Sequence, residues 1–98
     1  MGLKLIRITG HSMSPRIPDK SYVLLHTWLN IFKPKLGNTL LIKHAKYGNI
    51  IKTLAHIDNQ GFFWFKGESA QSIAMAEIGP ISKSQIIAKA YFTLSANR

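Results

Sequence analysis

The chain has 98 residues, 46% hydrophobic and 17% charged, which excludes a disordered chain and makes one core and one domain spanning 1–98 the expectation. It contains no cysteine, so disulfides, thiolate catalysis and cysteine-based zinc sites are excluded. Thirteen Lys and Arg against four carboxylates give a formal charge of +9, which predicts attraction to something acidic.

The basic residues are scattered, apart from Lys33-Pro34-Lys35 and the stretch from Lys43 to Lys46. Scattered charge favours a solvated surface over a nucleic-acid interface and leaves an anionic membrane surface as a candidate partner. No apolar run approaches the ~18 residues of a membrane span, and no signal-peptide pattern opens the chain. The expectation is a protein that is cytoplasmic or peripheral to a membrane. Its oligomeric state is not encoded in any pattern.

Leu3 to Ile8 alternates, with Leu3, Leu5 and Arg7 on one face, and predicts a short strand. The strand runs into Gly10-His11-Ser12-Met13-Ser14-Pro15. Gly10 permits unusual backbone angles and Pro15 stops a regular ladder, so the plain reading is a turn. Arg16 to Ser21 predicts a second turn around Pro18 and Asp19, and Ser21 to Trp28 a strand with Tyr22 and Val23 inside it. Trp28, Leu29, Ile31 and Phe32 cluster beside Lys33 and Lys35. Burial in the core is the preferred reading for so large an aromatic in so small a domain; the alternative is an exposed lip that touches a membrane or holds substrate.

Gly37-Asn38 turns the chain into a strand from Thr39 to Lys43, and Tyr47-Gly48-Asn49 is a hairpin turn into Ile50 to Ile57. After the turn Asp58-Asn59-Gln60-Gly61, the run Phe62-Phe63-Trp64-Phe65-Lys66 carries aromatics on both faces and predicts a strand at the centre of the core. A polar loop follows from Gly67 to Ser72. Ile73 to Ile78 reads as a single helical turn or an irregular segment, Gly79-Pro80 as a turn, and Ser84 to Phe92 as a closing strand. The fold class is therefore mainly β, a single small domain.

Within the strand from Ile50 to Ile57, alternate residues share a face, so Lys52 lies with Ile50 and Leu54. Two large aliphatics beside it desolvate the ammonium and lower its pKa. Bringing that pKa from ~10.4 to near neutrality would cost roughly 4 kcal/mol, out of the ~5–10 kcal/mol that stabilises such a domain. Such a concession implies a use for the neutral amine. The plainer alternative is a lysine on an edge strand, its stem on apolar neighbours and its charge in water.

The pattern Gly10-x-Ser12-Met13-x-Pro15, followed by Tyr22-Val23-Leu24-Leu25, resembles the nucleophile box of the type I signal peptidases and their small relatives, and more distantly the self-cleaving domain of LexA-like repressors. The resemblance continues at Ile50-Ile51-Lys52, which matches the strand that carries the catalytic lysine in those enzymes. It extends more weakly from Gly67 to Lys89, where Ser72 falls on the serine that orients the lysine. Three departures stand out. Lys20-Ser21 replaces a Gly-Asp turn, Glu68-Ser69 replaces Asp-Asn, and Ala74 and Ala76 replace an acid and an arginine whose ion pair braces the loop.

The resemblance implies coiled antiparallel sheets of the signal-peptidase and LexA-like type, carrying a Ser12/Lys52 dyad with Ser72 orienting the lysine. It implies a serine endopeptidase that cleaves a protein or peptide precursor with small residues next to the cut, without metal or cofactor. The oxyanion would be held by the Ser12 amide and a second donor near Gly10, which itself offers no hydroxyl, and Met13 would lie beneath the serine, adjacent to substrate.

Other chemistries fit less well. A Ser-His-Asp arrangement needs a carboxylate behind His11, His26, His44 or His56, but Asp19, Asp58, Glu68 and Glu77 all lie in or beside turns. His44 and His56 lack a third metal ligand. A self-cleaving repressor domain is disfavoured by the few residues ahead of Ser12. The competing class is a non-catalytic β-domain of the same scaffold that binds a protein or an acidic surface, a reading favoured by Ala74 and Ala76.

Overall fold

The computed structural model describes residues 2–10, 13, 17–29, 33–69 and 73–94. Six strands, β1 (Leu3–Arg7), β2 (Tyr22–His26), β3 (Thr39–His44), β4 (Gly48–Ile57), β5 (Phe63–Lys66) and β6 (Ile86–Leu94), form one sheet in the order β1-β2-β6-β3-β4-β5. Every neighbouring pair is antiparallel. One helical turn, α1 (Met75–Ile78), and a 3-10 turn (Lys83–Gln85) complete the described elements. The mainly-β expectation holds, and among the described residues no helix is long and apolar enough to cross a membrane.

The central strands bury both faces. In β3, Leu41 joins Met13, Ile17, Val23, Leu25 and Ile51 in one cluster, while Leu40 and Ile42 join Leu54, Phe65, Ile78 and Ile81 in another on the opposite face. A strand buried on both sides loses the apolar–polar alternation of a half-exposed one, which is why Leu40-Leu41-Ile42 reads as an unbroken apolar run. The second face is covered by the segment from Ile73 to Ile81. His44 Nε2 lies 2.7 Å from the Ile78 carbonyl, the Tyr47 hydroxyl donates to Glu77 at 2.5 Å, and Phe63 and Ile81 exchange backbone bonds. These contacts tie the segment from Ile73 to Ile81 to the β3–β4 hairpin and to β5.

Two burial expectations are corrected. The aromatic strand is not central: β5 is an edge strand, only Phe65 is fully buried, and Phe62 is exposed. Its residues satisfy the short turn before it instead, with Asp58 accepting from the backbone of Gln60 and Phe62 and from the Trp64 indole N–H. Trp28 is not in the core but 40% exposed, stacked on His26. Leu3 and Leu5 on the outer face of β1 are also exposed, while Ile6 and Ile8 turn inward. Of the apolar cluster after Trp28, Leu29 packs half-buried; Ile31 and Phe32 lie outside the described residues.

The turn ahead of β2 has an unusual backbone. Lys20 sits at φ 69°, where an L side chain crowds its own carbonyl, because its N–H must reach the Ile8 carbonyl at 2.8 Å while the Ile8 N–H meets the Ser21 carbonyl at 2.7 Å. Lys20→Gly relieves that crowding and leaves both bonds in place. It is expected to stabilise the protein by on the order of 0.5–1 kcal/mol, a rise of several degrees in melting temperature. An unchanged or lower melting temperature would refute the account.

Candidate active site

Lys52 lies midway along β4, opposite Leu40 of β3. Alternation puts it on the face of Ile50 and Leu54, and it is 2% exposed. The side chain is therefore largely withdrawn from water. Burial pushes its pKa below the usual lysine value, and desolvation is the sole cause of the shift. Loss of hydration disfavours the ammonium, so the environment moves the group toward the neutral amine.

Ser12 and Ser72, the expected nucleophile and lysine-orienting serine, lie outside the described residues. Their neighbours are described. Met13 is 2% exposed and packs in the cluster that contains Ile51, the residue before Lys52, on the face opposite the Lys52 side chain. Ile73 packs half-buried in the cluster of Leu40 and Leu54, which flank Lys52 on its own face. Met13 thus lies on the sheet face opposite the Lys52 side chain, and Ile73 on the same face as Lys52.

Gly10 has φ 99°, and its N–H donates to Asp19 Oδ1 at 2.7 Å. This ties Gly10 to the turn before β2 and commits its amide. Asp19 makes a contact that the sequence does not mark, because a turn Asp nine residues away in the chain has no periodic signature. Glu68 makes another. Its Oε2 accepts from the buried Thr53 hydroxyl at 2.5 Å, tying the loop after β5 to the residue that follows Lys52.

Among the described residues, the four carboxylates accept from Gly10, Gln60, Phe62, Trp64, Thr53 and Tyr47. His44 stands opposite Gly48 and His56 opposite Trp64, and among the described residues no group of three potential metal ligands occurs. His26 is buried, accepts the Trp28 N–H on Nδ1 at 3.2 Å, and has its pKa lowered by desolvation first and by Lys89 second. A scan against protein-family models finds no match to this chain, and a search of curated proteins finds none either.

Proposed function

We propose that the chain is a serine endopeptidase of the signal-peptidase type, with Ser12 as nucleophile and neutral Lys52 as general base. The observation that carries this reading is Lys52, a desolvated amine on the strand where the resemblance expects the catalytic lysine. Lys52 Nζ takes the proton from Ser12 Oγ as the oxygen bonds to the substrate carbonyl carbon, and the ammonium then protonates the leaving amine as the C–N bond breaks. Water repeats the sequence on the acyl-enzyme, with Lys52 again accepting the proton. The Ser12 amide and a second backbone N–H hold the oxyanion, and the Ser72 hydroxyl orients the amine. The substrate is an extended peptide from a protein precursor, with small residues at the cut, and the dyad requires no metal. The net charge of +9 suits contact with an anionic membrane surface, and the exposed Leu3, Leu5 and Trp28 favour it.

The second reading is a binding domain on the same scaffold, and that exposed apolar face is what favours it. Incubation with a penem, followed by mass spectrometry of the digested protein, separates the two. Labelling at Ser12 that disappears in Lys52→Ala is expected; absence of labelling between pH 6 and pH 10 would leave the binding domain.

A further inference from the structure

β6 slips register twice, leaving Ile87 without a partner on β3 and Tyr91 without one on β2. Such bulges re-aim a strand. Beyond Lys89, β6 continues to pair with β2 as far as Leu94, but its ladder with β3 stops at Leu40–Lys89. The start of β3 follows β4 instead: the Gly37 N–H donates to the Leu54 carbonyl and the Leu54 N–H to the Asn38 carbonyl, each at 2.8 Å. Gly37, at φ 89°, makes the bend that allows it.

The sheet therefore forks, and a cleft of about 360 Å³ opens at the fork. Asn38 and Thr39 line one wall, Ala90, Tyr91 and Thr93 the other, and Lys89 stands at the fork itself. The volume falls within the ~300–1,000 Å³ of ordinary ligand sites. Thr39 carries a buried hydroxyl with no hydrogen-bond partner among the described residues. A second cleft of about 290 Å³ adjoins it across Lys89 and Tyr91 and is bounded by His26 and Trp28.

Among the described residues the β6 edge at 90–93 has no neighbour on its β3 side, and such an edge presents backbone donors and acceptors at the spacing of another extended chain. We propose that the fork between β3 and β6 is a docking slot for an extended acidic peptide of a partner protein, which pairs with the β6 edge at 90–93, sets a carboxylate on Lys89 and rests a side chain on Trp28 and Tyr91. Charge decides the sign of the partner: Lys89 is the charged group shared by both clefts, on a protein of net charge +9. The slot does not include Lys52, so this inference stands apart from the peptidase reading.

The test uses a fluorescein-labelled octapeptide of alternating glutamate and valine, titrated by anisotropy, with amide exchange followed by NMR. Binding is expected to slow exchange within 90–93, and N-methylation of alternate peptide amides is expected to weaken it about tenfold. Lys89→Gln should weaken it about fivefold, while the exposed Lys46→Gln stays within about twofold. Lys52→Ala should bind as the parent does, whatever its effect on acylation. Four results would overturn the proposal: no binding at millimolar peptide, equal weakening by Lys46→Gln, slowed exchange at the β1 or β5 edge instead, or exchange within 90–93 that is slow in the free protein and speeds up when residues 95–98 are removed.

Discussion

Lys52→Met is expected to raise the stability of the protein at neutral pH by on the order of 1–3 kcal/mol, at ~4–8 °C in melting temperature per kcal/mol. The lysine stem already fills an apolar site between Ile50, Leu54 and Leu40, and methionine keeps that volume without a charge to desolvate. The sign follows from linkage. Burial holds the folded-state pKa of Lys52 below its value in the unfolded chain. Between those two values the unfolded state binds more protons, so parent stability rises with pH across that window. Below the window both states carry the charge and its full cost is felt; above it neither does. Urea unfolding of both proteins from pH 6 to pH 10 should show the methionine variant more stable at the acid end, with the two curves converging as pH rises. Parallel curves, or a less stable variant, would mean that Lys52 keeps its proton through contacts other than those described.

Ser12→Ala and Lys52→Ala are each expected to lower the acylation rate with an activated ester such as p-nitrophenyl acetate by at least ~10³-fold, and the double variant should lose little more, since the two groups act as one unit. Lys52→Arg should be as inactive as Lys52→Ala, because a guanidinium cannot give up its proton to serve as a base. The parent rate should climb with pH through the titration of Lys52, whose midpoint lies below the ordinary lysine value because the site is dry. Rates measured from pH 5 to pH 10 on parent and variants decide the matter. Arginine retaining activity, or a parent profile without that limb, would remove Lys52 from the mechanism. The stability and rate experiments should report the same midpoint, since one amine governs both.

The route from sequence to site was direct where the signal was local. Alternation places Lys52 with Ile50 and Leu54, and the structure finds it there and buried. The hairpin at Tyr47-Gly48-Asn49 and the closing strand were legible for the same reason, although β6 begins later than expected because Lys83–Gln85 coils into a 3-10 turn capped by Ser82 and Gln85. Aromatic content misled. Phe62 to Phe65 reads as a core strand, but position in a sheet is set by which strands pair, and of the other described strands β5 pairs with β4 alone, with one further bridge from Phe63 to Ile81. Trp28 is the same case: its size argues for burial, yet it is 40% exposed and stacked on His26. Gly10–Asp19 and Thr53–Glu68 join residues 9 and 15 apart in the chain, and no pattern of period two or 3.6 encodes such pairs.

What the amino-acid sequence determined by itself is the class of elements and the facing of side chains along each of them, because pleat, turn chemistry and the conformational freedom of glycine act over a few residues. The tertiary structure alone decided the order of strands, the two-sided core that dries Lys52, the exposure of Leu3, Leu5 and Trp28 and the fork between β3 and β6. Those features depend on which distant segments meet, and that choice is made by the packing of the whole chain rather than by any stretch of it.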